Sequence, residues 1–285
     1  LTARDTASDP GTSITLATET QRAQSEDVVR ANFQRLQQAL RSLEEYGKTC
    51  APAFAAEMEQ IRYRTYTLEK AILSGAARQS RMAQAQLYAL LDGRDSLADF
   101  RELAQTLVTA GVQVIQLRDK RLPDRLLLER AHALRAVTRG TKTLMVMNDR
   151  PDLAVLAEAD GVHVGQEELT VAEVRRIVGA NLLVGVSTHN LAQAQQACFD
   201  GADYIGCGPT FPSTTKAFEQ FAGLEYLRQV AEQIRLPAFA IGGITLESLP
   251  RVMATGVRRV AVGGGITSAS DPACVVQQFL SLLAD

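Results

Sequence analysis

The chain has 285 residues, 46% hydrophobic and 22% charged, with a formal net charge of −2 and a pI near 6.0. That supplies apolar material for one or two packed domains and excludes a strongly basic nucleic-acid binder. No apolar run approaches the roughly 20 residues of a membrane span, and "LTARDTASDPG" lacks the two-part pattern of a signal peptide.

The chain opens on Leu1 rather than methionine, as a processed form or a fragment would. Cys50, Cys198, Cys207 and Cys274 form no C-x-x-C pair and fit no zinc spacing, so they read as buried or incidental thiols of a reducing cytoplasm.

Residues 1–22 are rich in Thr, Ser, Ala and Asp, with a Pro10-Gly11 turn, and read as a loosely ordered arm. A helical region is expected over 23–85. Its first helix is capped by Ser25, stopped at Gly47, and carries Val29, Phe33, Leu36, Leu40 and Leu43 on one apolar face. The second starts near Pro52, with Phe54, Met58, Ile61, Leu68 and Ile72 as its apolar face. The pair reads as a helical hairpin, and "GAARQSRMAQAQ" as a polar linker or helix tail.

From residue 86 to 285 the pattern becomes strand, then helix, repeated. The strand candidates are "LYALLD", "VQVIQLRD", "TLMVMND", "GVHVG", "LLVGVSTH", "DYIGCGP", "PAFAIGGI" and "RVAVGGGI". They are short and apolar, as strands buried on both faces should be. Such units at near-even spacing over roughly 200 residues predict an α/β fold, a (β/α)₈ TIM barrel, over a doubly wound open sheet.

Barrel active sites lie at the C-terminal strand ends. There the sequence places Gln116, Arg118 and Lys120, then Asn148, Asp149 and Arg150, then Gln166, Glu167 and Glu168, then Ser187, Thr188 and His189. "GCGPTFPSTTK" follows, with Ser213, Thr215 and Lys216, and the last two strands end in glycines. Free backbone N–H groups at such glycines suit a phosphate. Arg118, Lys120 and Lys216 suit a second, more highly charged anion. Asp149 and Glu168 are hard oxygen donors of the kind that hold Mg²⁺ together with substrate phosphates. His163, inside a strand, reads as a satisfied structural histidine, and His132 as a surface residue of a helix.

The motifs "VIQLRDK", "NDRPDLAVLAEADGVHVGQEEL", "GVSTHN", "GADYIGCGPTFPSTTK" and "AIGGI", in that order, resemble the thiamine phosphate synthase family. The resemblance implies a transferase that joins hydroxymethylpyrimidine diphosphate to thiazole phosphate, giving thiamine phosphate and pyrophosphate by a dissociative, Mg²⁺-assisted alkyl transfer. It implies that Gln116 faces the aminopyrimidine and that Arg118, Lys120, Asn148, Ser187 and Lys216 hold the pyrophosphate. Arg118, Lys120, Ser187 and Lys216 would be the catalytic set. It further implies Asp149 and Glu168 as Mg²⁺ ligands, Ser213 and Thr215 at the thiazole, and Gly243, Gly263 and Gly264 at its phosphate. Small-molecule substrates are the expected partners, with no nucleic acid or membrane, and self-association into a homo-oligomer is left open.

Three positions depart from the family pattern. Glu168 stands for a usual Asp, Ser213 for a usual Thr, and the glycines after the last strand for a serine-containing turn. Two rivals share the fold: an enzyme that tautomerises the thiazole phosphate, and a phosphate-ligand sensor without turnover. "VVRANFQRLQQALRSLEEYGK" and "IRYRTYTLEKAI" resemble the latter part of a small helical family fused ahead of some of these synthases and associated with phosphorylating hydroxymethylpyrimidine phosphate. A packing or oligomerisation role is expected for this region in place of kinase activity.

Overall fold

The computed structural model of the chain describes residues 25–212 and 221–284. The arm expected at 1–22, and Ser213, Thr215 and Lys216, lie outside the described residues. The chain divides into two compact units, Leu1–Ala76 and Ala77–Asp285.

In the first unit, α1 (Ser25–Cys50) and α2 (Pro52–Ala83) form the hairpin, α2 continuing across the unit boundary. Gly47 does not stop α1. A β-carbon on it would lie 3.0 Å from Phe54 Cδ1 and 3.2 Å from Ala55 Cβ, so glycine serves close approach of the two helices.

The expected apolar faces form the seam only in part: Leu40 is buried in it, and Val29, Phe33 and Met58 are half-buried. Leu36 and Leu43 are exposed on α1, as are Phe54, Ile61, Leu68 and Ile72 on α2. The residues turned inward are Leu40, Glu44 and Gly47 on one helix and Ala55, Arg62 and Thr65 on the other. Arg62 Nε donates to Glu44 Oε2 at 2.9 Å, and Gln37 Nε2 to Glu69 Oε2 at 2.6 Å. A buried polar residue at a seam position can fix which helix faces meet, and here an ionic and an amide pair lie in the seam beside Leu40.

The second unit is built from β1 (Leu87–Leu91), α3 (Leu97–Thr109), β2 (Val114–Leu117), α4 (Asp124–Thr138), β3 (Leu144–Asn148), α5 (Pro151–Leu156), β4 (Gly161–Val164) and α6 (Val171–Val178). It continues with β5 (Leu183–Thr188), α7 (Leu191–Phe199), β6 (Tyr204–Cys207), α8 (Gly223–Gln233), β7 (Ala238–Ile241), α9 (Leu249–Met253), β8 (Val260–Val262), α10 (Gly264–Thr267) and α11 (Pro272–Ala284). The strands pair in parallel in chain order and β8 closes on β1. Each quoted strand motif supplies its strand. Ser96 and Asn190 cap α3 and α7, and Thr170 with Glu173 forms a capping box on α6, so these helices start where the chain leaves the barrel mouth.

Alternation along the strands separates two cores. Ile115, Met145, Met147 and Val162 pack outward against the helices, joined by Phe100, Leu107 and Phe279. Tyr88, Val114, Val146, Leu183, Tyr204 and Phe239 fill the lumen. Met82 and Ala85, at the end of α2 and just after it, belong to this inner cluster, and Met82 is fully buried. The Tyr204 ring has room because Gly185, its partner on β5, has no side chain. A β-carbon there would lie 2.1 Å from Tyr204 Cζ.

Asp160 and Asp203 stitch the entry ends of β4 and β6. Asp160 accepts from Met145 N–H at 2.9 Å and from Arg135 at 3.0 Å. Asp203 accepts from Val184 N–H at 2.8 Å and from Arg78 Nε at 2.9 Å. Both are buried or half-buried carboxylates paired with guanidinium groups, the arrangement that burial of a charge requires. Among the described residues, no helix is long and apolar enough to cross a membrane.

Candidate active site

The C-terminal ends of the strands open into a cavity of about 1210 Å³. Arg118, Lys120, Asn148, Asp149, Glu168 and Ser187 lie on one side of its lining. Gly243, Gly263 and Gly264 also line it, from the exits of β7 and β8.

The β2 exit is organised by Asp119, a residue the sequence reading did not single out. Its carboxylate accepts from the backbone N–H groups of Gly93, Arg121 and Leu122 at 3.1, 2.8 and 3.2 Å. Burial alone would raise its pKa, yet these bonds and the Arg121 side chain hold it below the usual carboxylate value. The loop so pinned presents Arg118 and Lys120 on either side. Arg118 is half-buried, and its guanidinium makes no hydrogen bond or ion pair among the described residues, and neither does the Asn148 amide.

At the β3 exit Asp149 adopts φ 59°, a left-handed conformation that Asp tolerates better than most residues. Its N–H donates to the His163 carbonyl at 2.8 Å, which anchors the turn to β4. Lys120 Nζ lies 2.9 Å from Asp149 Oδ2 and 3.3 Å from Glu168 Oε1. Hydrogen bonding and attraction to Asp149, then Glu168, raise the lysine pKa. Arg150, by contrast, pairs with Asp152 at 2.7 Å and with Asp124.

The Asp149–Glu168 pair fits a divalent cation: both carboxylates reach one point, where the Lys120 ammonium acts as a stand-in cation. The extra methylene of Glu168 does not prevent this convergence. Among the described residues, no group of three or more His, Cys, Asp or Glu side chains is placed to hold a metal ion. Mg²⁺ is usually held by one or two carboxylates, with substrate phosphates and water supplying the rest of its shell.

On the opposite rim Gly243 has φ 63°, and a β-carbon there would fall 2.3 Å from the Pro212 carbonyl. Only glycine suits that turn. Gly264 and Gly265 open α10, where N–H groups have no intrahelical partner. A hydroxyl is present here despite the glycines: Ser268 lines the cavity, its Oγ 3.7 Å from where a Gly264 β-carbon would sit. The helical i, i+4 spacing of Gly264 and Ser268 was the available signal.

Gln116 is buried and does not line the cavity. Its Nε2 donates to Tyr88 Oη at 2.8 Å. Tyr88 and Tyr204 hydroxyls are 3.1 Å apart, His163 Nδ1 lies 3.2 Å from Tyr204 Oη, and His163 Nε2 lies 2.9 Å from Ser187 Oγ. His163 is thus satisfied at both nitrogens, as expected of a structural histidine, yet it touches a candidate site residue. Burial lowers its pKa to about 4. Burial also pushes Tyr204 well up, and both tyrosines stay neutral. The two tyrosines were not singled out in the sequence. The signal was a phenol inside an otherwise apolar strand, which must find a partner. His189 also lines the cavity, its Nδ1 2.5 Å from the Gly208 carbonyl. His132 is exposed on α4.

A closed βα barrel with cations, paired carboxylates and a glycine rim at the C-terminal mouth is built for phosphorylated small molecules. Residues 87–266 match the family described as thiamine monophosphate synthase, and residues 1–71 match the ThiD2 family. A thiamine-phosphate synthase of Gloeobacter violaceus is 45% identical over 281 residues, covering 99% of this chain and 81% of that protein. One from Rhodopirellula baltica is 46% identical over 272 residues, covering 92% of this chain and 72% of that protein. Among solved structures, a thiamine phosphate pyrophosphorylase from Pyrococcus furiosus superposes with a TM-score of 0.62 at 30% identity, over 72% of this chain and 97% of that one. A 3-hexulose-6-phosphate synthase, at 21% identity and TM-score 0.52 over 69% of this chain and 98% of that one, shares the fold alone. The chain belongs to the thiamine monophosphate synthase family. It is a transferase of thiamine biosynthesis, acting in thiamine phosphate synthesis.

Proposed function

We propose that the barrel performs this synthesis by dissociative alkyl transfer between hydroxymethylpyrimidine diphosphate and thiazole phosphate. The C–O bond from the pyrimidine methylene to pyrophosphate breaks, and its electron pair leaves on the pyrophosphate oxygen. The ring amine stabilises the carbocation that remains, and the thiazole nitrogen adds its lone pair to the methylene carbon. Arg118, Lys120, Asn148, Ser187 and Lys216 hold the pyrophosphate, and the three cations neutralise the charge that grows on it in a preorganised site. Ser213 and Thr215 contact the thiazole, and the glycine rim with Ser268 takes its phosphate; Gln116, buried away from the cavity lining, is withdrawn as the contact to the aminopyrimidine. Asp149 and Glu168 hold Mg²⁺, which would add Lewis-acid stabilisation of the pyrophosphate oxygens.

The observation that carries this reading is the bridge from Lys120 to both carboxylates, beside the Arg118 and Asn148 side chains, which have no partner among the described residues. It sets two carboxylates next to cationic and amide donors, an arrangement that supports a pyrophosphate bound with its metal ion. The barrel residues 86–285 carry the chemistry, and residues 23–85 have a packing or oligomerisation role.

The test is incubation with both substrates and Mg²⁺. Thiamine phosphate and pyrophosphate in equal amounts support the proposal. Binding without product, or tautomer exchange of the thiazole without pyrophosphate release, overturns it.

A further inference from the structure

Five side chains from five strands form one unbroken chain of hydrogen bonds through the barrel: Gln116 (β2), Tyr88 (β1), Tyr204 (β6), His163 (β4) and Ser187 (β5). Its Ser187 end lines the cavity and is a residue to which the proposed function gives a substrate contact, and the other four members are buried.

We propose that this chain is directional: it fixes His163 as the Nε2–H tautomer and so reserves the Ser187 hydroxyl proton for the anion in the cavity. The inference rests on the proposed role of Ser187 at the pyrophosphate.

The direction follows from counting protons. The Gln116 amide nitrogen donates to Tyr88 Oη, so the phenol receives a proton at one end. A phenol has a single proton to give. In the proposed direction that of Tyr88 goes to Tyr204 Oη, 3.1 Å away, and that of Tyr204 goes to His163 Nδ1, 3.2 Å away. A neutral imidazole has one N–H and one lone pair. With Nδ1 accepting, the proton sits on Nε2 and is donated to Ser187 Oγ at 2.9 Å. Neither ring nitrogen has a carboxylate partner among the described residues.

Ser187 Oγ makes no second hydrogen bond among the described residues, and the residue lines the cavity. Its own proton is therefore free for an anionic oxygen. The opposite direction would have Ser187 donate to His163 and present only lone pairs to the cavity, which repel phosphate oxygens. The chain thus sets a donor at its anion end. Gln116, Tyr88, Tyr204 and His163 are positioning residues, acting through Ser187. In a low-dielectric lumen such bonds polarise one another, so the direction is held cooperatively.

The test begins with ¹⁵N NMR of the ring nitrogens of the substrate-free protein. With three histidines in the chain, His132→Gln and His189→Gln identify the His163 signals. A protonated Nε2 and bare Nδ1 are expected, and a protonated Nδ1 overturns the proposal. Binding of inorganic pyrophosphate with Mg²⁺ is then measured for Tyr204→Phe, Ser187→Ala and the double variant. Each single change is expected to weaken binding about tenfold, the scale of one hydrogen bond to a charged group. The double variant is expected to be no weaker than Ser187→Ala, because the tyrosine acts through the serine. Additive losses would mean that Tyr204 supports the barrel independently and would overturn the proposal. Neither readout uses turnover, so failure here is distinct from failure to make thiamine phosphate.

Discussion

The two units place polar side chains in opposite ways. The barrel buries a polar chain inside an apolar lumen and keeps its charges for the mouth and the strand entries. The hairpin puts a charged pair, Glu44 and Arg62, in its seam and turns Leu36, Leu43, Ile61 and Leu68 outward. Closure explains the difference. A parallel barrel leaves no free edge, and every strand residue must face either lumen or helices, so alternation decides burial. Two helices meeting along a single seam have more than one register with similar spacing. The pairs Glu44–Arg62 and Gln37–Glu69 select one of them.

The largest effect that would sharpen this contrast is catalytic. Arg118→Ala removes a cation that has no partner among the described residues and is expected to lower kcat by about 10²–10³-fold, as loss of one preorganised donor does. Lys216→Ala is expected to cost at least about 10²-fold for the same reason. Ser42→Ala, on the exposed surface of α1, should leave kcat unchanged. Steady-state rates with both substrates saturating check this, and an unaltered rate in Arg118→Ala would remove that residue from the mechanism.

The next effect is on stability. Phe100 is fully buried between α3 and the barrel, and Phe100→Ala is expected to cost about 3–5 kcal/mol. Leu68, 52% exposed on α2, should lose no more than about 0.5 kcal/mol on change to alanine. Denaturant unfolding followed by circular dichroism compares the two. Equal losses would mean that Leu68 is covered in solution, and the contrast between the units would fail.

The barrel was legible because its signals are redundant. Each strand motif is apolar, ends in polar or glycine residues, and sits at similar spacing, so an error in one would not move the rest. The mouth was legible for the same reason: Arg118, Lys120, Asp149 and Glu168 follow strands directly, and topology alone brings them to one cavity. Tyr88, Tyr204 and Asp119 were not, because their roles depend on partners far away in sequence. Nothing local marks Tyr204 as the neighbour of His163, or Asp119 as the acceptor for Gly93. The hairpin misled in a specific way. Phe33, Leu36, Leu40 and Leu43 keep helical spacing, but so do Phe33, Gln37, Leu40 and Glu44. Hydrophobicity favours the first set. The second is chosen because Arg62 and Glu69 on the other helix satisfy it.

The smallest predicted effect probes that choice directly. Burial would raise the Glu44 pKa, but hydrogen bonds from Lys48 and Arg62 outweigh it and hold the value below 4.5. A carboxylate with a depressed folded-state pKa stabilises the fold above its unfolded value. The contribution disappears as pH falls through the folded value. Part of the helical signal should therefore be lost on acidification below about pH 4.5, in excess of what the barrel shows. Glu44→Gln removes the titrating group and leaves Arg62 without its charge partner. At neutral pH this variant should already show the reduced hairpin stability that the unaltered chain reaches only in acid, and its acid dependence should be flatter. Circular dichroism melts across this pH range test both points. Identical profiles for the two proteins would mean that the seam is held by shape alone and that the ionic pair follows the register without setting it.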